Sequence, residues 1–381
     1  MSYRTLSPRD RASLDAATSR AAVFGRDDLV VVRATGKHHR RFLHALTTAP
    51  FQDAPGDLAF DATQTDAQGR LLAALRCITS DDAVEVWLHR PLAQTWIDKL
   101  LAHRVAERVQ LALDEDATLV ELIGPAAPTI ADAVLRPLVA ADGAAEAEPA
   151  AASGPATAPE AKEAAVHPSH AVHTCTLPGD GGRSCRVWRD HTGGGDGSPL
   201  GPALPRVCIR LQRDDLGLLV PALLREGAAV GCFAAGEVLR VGAGEPRLSL
   251  DVHDGSTPWE VGLHDGVSLS KGCYLGQEAL AMQAWRGQLR RALCWVEPIG
   301  APPPPGTQLR DAQGRKAGFS GSGVDLGDGR RYGFATVQRK AAVAGTELTW
   351  SLPATEGQDG TPASAGGLRV VATTRAGTLQ A

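Results

Sequence analysis

The sequence predicts an α+β protein that ends in a small antiparallel β-barrel. Three observations carry that expectation. Strand-like and helix-like stretches alternate with hairpin spacing over residues 29–139. Near residue 140 the composition switches to Ala, Glu, Pro and Gly. From residue 289 onward, six short alternating runs are bounded by Gly, Pro or Asp.

The elements follow in order. Residues 29–33 (LVVVR) read as a buried strand that runs through Thr35-Gly36 into a helix at 37–46. Strands are expected at 58–65, 70–79 and 83–89. A helix at 91–103 opens on Pro91, where the missing N–H costs nothing. A strand at 117–123 and a helix at 130–139 complete this part. The stretch ADGAAEAEPAAASGPATAPEAKEAAV carries too little apolar surface to offset its ordering entropy. Gly-rich sequence continues to about residue 205, so 140–205 reads as a disordered insertion. Order resumes with a strand at 207–211 and helices at 215–226 and 234–241. Barrel strands are expected at 292–296, 307–309, 316–324, 332–338, 347–352 and 368–373. The domain organisation is therefore 1–28 as an N-terminal extension, 29–139 and 206–288 as two α+β parts, 140–205 as the insertion, and 289–381 as the barrel.

Charge and cysteine content narrow the function classes. The 39 basic and 43 acidic residues give a net charge of −4, which supplies no bulk basic surface for nucleic acid. The basic run Lys37-His38-His39-Arg40-Arg41 lacks interleaved aromatics and reads as a solvated helix face. The seven cysteines are odd in number and form no CxxC pair, which favours reduced thiols and a cytoplasmic location. No apolar run reaches the length of a membrane span. Arg4, Arg9, Arg11 and Arg20 suggest a transit peptide, but Asp10, Asp15, Asp27 and Asp28 argue against one. GxSxG, HExxH, GxxxxGK[ST] and a strand-borne GxGxxG are all missing from the sequence.

Two constellations carry possible chemistry. In Lys271-Gly272-Cys273-Tyr274-Leu275-Gly276-Gln277-Glu278, two glycines bracket a Cys-Tyr pair, as in a tight turn. Gln277-Glu278 then open a helix, so Cys273 lies near a helix N-terminus with Lys271 two residues away. Both features favour a thiolate nucleophile or metal ligand. The competing reading is a small buried cysteine in an ordinary turn, the commoner case on spacing alone. The second constellation is His167, His170, His173 and Cys175, with Cys185 and His191 beyond. These ligand types suit zinc, but the surrounding low-complexity sequence offers no scaffold, and a chance His-rich loop is the plainer reading.

The KGCYLGQE stretch closely resembles the YgfZ family of folate-binding proteins, which is related to the glycine-cleavage T-protein, an aminomethyltransferase. Phe42-Leu43-His44-Ala45-Leu46-Thr47 is similar to the family's early helix, and Ala67-Gln68-Gly69-Arg70-Leu71-Leu72 to its KGR hairpin. Arg286-Gly287-Gln288-Leu289-Arg290-Arg291 resembles the segment leading into the barrel. The resemblance implies a T-protein-like ring of three parts with discontinuous α+β domains and a central cavity for tetrahydrofolate or a derivative. It also implies that Cys273 is the functional thiol, faces that cavity, and assists iron–sulfur cluster assembly with a transient cluster. Implied partners are iron–sulfur assembly proteins and client iron–sulfur enzymes, including tRNA-modifying ones.

Departures from the family pattern shape the expectation. Leu72 and Ala73 stand where the T-protein has an acidic pair that includes its key catalytic carboxylate. A tetrahydrofolate-dependent one-carbon transferase, the alternative function, would have to rely on Asp61, Asp66 or Glu278. Arg240 is the one folate-binding candidate, and Gly242 stands where a carboxylate helps hold the pterin. Leu29 and Gly236 lie near positions where bacterial relatives carry tryptophan, and Met282 holds a position that is usually Arg.

Overall fold

The computed structural model describes residues 3–52, 54–137, 169–179, 182–191, 197–287, 289–352 and 364–374. Three sheets account for these residues, and each organises its own core.

The first is a six-stranded sheet built on Leu29–Thr35, Leu58–Thr65, Leu71–Thr79 and Ala83–His89. Strand Leu29–Thr35 shows why the run is continuously apolar. Val30, Val32 and Ala34 enter the core covered by helices His39–Leu46 and Ala93–Leu101, while Val31 faces the other way. There it joins Trp87, Trp188 and Cys208 in a layer shared with the second sheet. A strand buried on both faces has no polar side to alternate with. The basic run at 37–41 is not fully solvated. His39 is buried, with Nδ1 2.6 Å from Gly36 O, and Arg40 donates to Ser80 O.

The second sheet pairs Ala117–Ile123 with Ala22–Gly25 on one side and Pro205–Gln212 on the other, then continues through Ser184–His191 and His173–Thr176. Two expectations change here. Residues 1–28 are not an appendage: Arg4–Thr5 pairs with the barrel strand Lys316–Asp325, and Ala22–Gly25 is internal to this sheet. Helix Pro8–Ser19 is started by a Ser7/Asp10 capping box, in which each side chain accepts from the other's backbone N–H. Nor is the insertion unstructured to residue 205. Strands His170–Ala171, His173–Thr176 and Ser184–His191 are paired, and Trp188 is fully buried. Val172, Cys175, Cys185, Val187 and Trp188 provide the apolar pattern that glycine and histidine neighbours obscure. Residues 140–166 and Gly193 to Gly195 lie outside the described residues. The helix expected at 130–139 occupies Ala127–Val134, with Pro128 in its first turn and Pro137 just beyond.

The third sheet is the barrel. Arg291–Ile299, Gln308–Arg310, Lys316–Asp325, Arg331–Gln338, Glu347–Leu352 and Ser364–Thr373 pair antiparallel, and Lys316–Asp325 closes on Arg331–Gln338. Closure removes the exposed edges that short strands would otherwise present. Ala234, Val238 and Val241 of helix Phe233–Gly242 pack into the barrel core, and Trp295 Nε1 donates to Val241 O at 2.6 Å. Among the described residues no helix is long and apolar enough to cross a membrane.

Candidate functional site: a central cavity and a separate thiol turn

Helix Phe233–Gly242 divides its faces between two tasks. Residues 234, 238 and 241 hold the barrel, while Phe233, Gly236, Glu237 and Arg240 line a cavity of about 320 Å³. The i, i+3, i+4 and i+7 spacing puts these four on one stripe. The opposite wall comes from Phe24 to Asp28, Glu121, Ile123 and Arg206, and the floor from Ala243, Glu245 and Arg247.

The wall is a connected set of ion pairs. Arg206, nearly inaccessible, reaches Asp190 at 2.7 Å and Glu245 at 2.9 Å, with Glu121 at 3.9 Å. Arg26 bridges Glu121 and Asp28, each at 2.9 Å. Arg247 and Arg240 both donate to Glu237. Burial by itself raises the Glu121 pKa, but Arg26, Arg206 and Arg76 outweigh it and hold the carboxyl below its usual range. Asp190 is held low in the same way, against its burial, by Arg206 and Arg76. Arg240 does line the cavity, yet its guanidinium is engaged by Glu237, Asp251, Ser322 and the Glu245 carbonyl. It therefore fixes the wall rather than presenting free donors.

The KGCYLGQE turn lies elsewhere: none of residues 271–278 lines the cavity, so the expectation that Cys273 faces it is corrected. The turn is moored to the hairpin at 65–71. Gly276 has φ +86°, and a Cβ there would sit 2.3 Å from Asp66 O, so no other residue fits without displacing backbone. Thr65 Oγ1 donates to Leu275 O at 2.7 Å, and Gly69 lets the hairpin approach Ala279. Gln277 Nε2 donates to Leu269 O and Lys271 O, which ties the turn to itself. Tyr274 is buried against Trp259, Leu280 and Leu289, and burial raises its phenol pKa. Helix Gln277–Arg286 starts directly after Gly276, with Glu278 exposed in its first turn.

Cys273 is exposed, whereas Cys77, Cys175, Cys185, Cys208 and Cys294 are buried and Cys232 is half-buried, donating to Asp10 at 3.0 Å. The reading of Cys273 as a small buried residue is therefore excluded. Lys271 is not the permanent cation expected beside it. Its side chain is buried, with Nζ donating to His44 O and lying 4.8 Å from the Tyr274 ring centroid. Burial lowers its pKa to about 7, partly countered by Cys273. At neutral pH the ammonium beside the turn thus titrates. Leu269, Leu275, Met282 and Trp285, the last 84 % exposed, leave apolar surface around this region.

The His/Cys constellation does not assemble. His170 pairs with Ala59 in the first sheet, whereas His173 and Cys175 pair with Val187 and Cys185 in the second. Among the described residues no group of three such ligands could hold a metal, and His167 lies outside them. The remaining carboxylates are also spent. Asp66 accepts from Gln68 N, Arg70 N and Arg70 Nε within its turn, and Asp61 pairs with Arg76 at 3.1 Å. Sequence reasoning missed Glu121, Arg206, Glu245 and Arg247. Their signal was a charged residue inside an apolar strand, as in TLVELI and RVCIRL.

Comparison with known proteins follows this geometry. No family model matches the chain. The solved aminomethyltransferase T of the glycine cleavage system from Bartonella henselae superposes with a TM-score of 0.66 at 16% identity, covering 96% of this chain and 88% of that one. The fold is that of the T-protein. The tRNA-modifying protein YgfZ of Yersinia enterocolitica is 23% identical over 273 residues, 71% of this chain and 69% of its own length. The chain belongs to the YgfZ family. A chloroplastic protein of Arabidopsis thaliana named as a transferase is 33% identical over 129 residues, and that match spans only 29% of its length.

Proposed function

We propose that this YgfZ-family chain is a folate-binding accessory protein for the maturation of iron–sulfur enzymes, tRNA-modifying ones among them, and that it acts through Cys273. The observation that carries the reading is an exposed thiol on a turn locked by Gly276 and the 65–71 hairpin, in a chain whose other described cysteines are withdrawn.

The cavity fits a folate in kind. Its volume of about 320 Å³ falls in the range of small-molecule sites, and it combines aromatic rings with a few convergent charged groups. Phe24 and Phe233 would take the flat rings, and Glu245 and Arg247 the polar edge and tail. Bound there, a reduced folate supplies a redox-active pteridine and a carrier for one-carbon groups.

A resident cluster does not fit, because clusters take four thiolates and one exposed cysteine is available. Iron or a cluster is therefore cargo, held between Cys273 and ligands from an assembly protein or client enzyme. The apolar surface of Leu275, Met282 and Trp285 favours such a docked partner. The transferase reading lacks this support. Leu72 is exposed, Ala73 is apolar and buried, and Asp61 and Asp66 are committed to arginines.

The test is complementation of a deletion strain. Cys273→Ser is expected to leave iron–sulfur client enzymes as inactive as the empty vector. The purified variant should keep its stability within about 0.5 kcal/mol, as befits an exposed site. Full restoration of client activity by Cys273→Ser would end the thiol reading.

A further inference from the structure

This inference rests on the folate reading of the central cavity and concerns what replaces the carboxylate that the family places at position 242. Gly242 has no open path into the cavity. A Cβ there would lie 2.9 Å from Leu200 Cβ, and Ser198 Oγ donates to Gly242 O at 2.7 Å. The segment ending the insertion thus lies across the helix at this point.

Three residues further on, Glu245 does line the cavity. Its Oε1 accepts from the buried Arg206 at 2.9 Å, which fixes the carboxylate, and its side chain remains about a third exposed at 34%. Its Oε2 accepts no hydrogen bond among the described residues. The neighbouring carboxylates are more fully taken: Glu237 by Arg240 and Arg247, Asp28 by the fork of Arg26, and Glu121 by its surrounding arginines. Asp27, out at the rim, is paired with Arg213.

The aromatic component has moved as well. A Cβ at Gly236 would meet Phe24 Cδ1 at 3.5 Å, so a buried ring from the neighbouring strand already fills that side. Phe233, one turn earlier, is 61% exposed at the mouth, with the Arg247 guanidinium 5.5 Å from its ring centroid. An aromatic ring left in water beside a cation loses apolar burial that a flat ligand would restore.

We propose that Glu245 and Phe233 form the recognition pair of this cavity. The Glu245 carboxylate accepts from the two adjacent N–H donors of a 2-amino-4-oxo-pteridine edge, and the Phe233 ring covers the face of the heterocycle. Leu200 seals the place where the family's carboxylate would stand.

Calorimetric titration with 5-formyltetrahydrofolate tests the pair. Glu245→Gln is expected to weaken binding at least about tenfold, the scale of a charged hydrogen bond. Phe233→Ala should weaken it about fivefold, and Phe233→Trp should restore it. A ligand-side measurement covers misfolding of a variant. On the wild type, a folate analogue carrying a methyl group for the 2-amino group should bind about tenfold more weakly, because one N–H partner of Glu245 is lost. Wild-type binding with unchanged affinity in both variants, or with no discrimination against the analogue, overturns the recognition pair and leaves the folate reading standing. Failure of the wild type to bind any reduced folate removes that reading and this inference with it.

Discussion

The central cavity and the Cys273 turn are held in place by opposite means. Around the cavity, Arg26, Arg206, Arg240 and Arg247 interlock with Glu121, Glu237, Glu245, Asp28 and Asp251, and almost every charge has a partner of opposite sign. The turn carries few charges and is shaped by backbone: a left-handed glycine, a threonine hydroxyl on a carbonyl, and an amide side chain folded back on its own loop. The first device holds charge inside a wall while leaving selected groups for a polar ligand. The second fixes one thiol in solvent without neutralising it. A binding cavity and a reactive surface group call for these different solutions.

The sharpest way to break the comparison is at Arg206. Removing a partner from a buried ion pair strands the opposite charges, at a cost of about 3–5 kcal/mol. Arg206→Met leaves Asp190 and Glu245 without their closest guanidinium and loosens Glu121. We expect a loss of that size in urea unfolding at neutral pH. Acid should reveal the same network in the wild type. Glu121 and Asp190 titrate below their usual range when folded, so the unfolded chain binds more protons as pH falls below about 4. The stability they contribute is present above that pH and is lost as pH drops toward the folded values. A loss under about 1 kcal/mol in Arg206→Met would show that the wall is not an integrated network.

At the turn, the corresponding break is Gly276→Ala. The left-handed φ of +86° and the 2.3 Å approach to Asp66 O leave no space for a methyl group. The strain should cost about 2–4 kcal/mol. The 65–71 hairpin should separate from the turn, with faster amide exchange at Gln277 and Leu280. Unchanged exchange and stability would mean that the hairpin does not hold the thiol.

Much of the fold was legible in the sequence because it is written in apolar periodicity. The both-faces-buried strand at 29–35 and the six barrel strands fall where alternation and turn residues put them. What was illegible has a common cause. The strands at 173–176 and 184–191 are short and set among Gly and His, so their apolar residues surface only once Pro205–Gln212 supplies an edge. Glu121 and Arg206 are hidden by the opposite effect, since they sit within strands whose remaining residues announce a core. At the site, the KGCYLGQE motif located the turn, but local spacing carries no information about which distant surface the turn faces. It could not show that the cavity lies apart from it.

The smallest expected effect concerns Lys271, where the two devices differ most. A cation in the cavity wall is paired with carboxylates; Lys271 is buried against a carbonyl and a tyrosine ring. Burial lowers its pKa to about 7 from an ordinary value near 10.5. Between those values the unfolded chain binds more protons than the folded one, so stability should rise with pH. The slope can reach about 1.4 kcal/mol per pH unit for one proton. The cost of burying the charge is greatest below pH 7 and vanishes as pH passes 10.5. Lys271→Met should remove this rise and be most stabilising, relative to wild type, at pH 6. Identical pH dependence of unfolding in the two proteins would place a compensating charge beside Lys271, and the contrast between the two regions would fail.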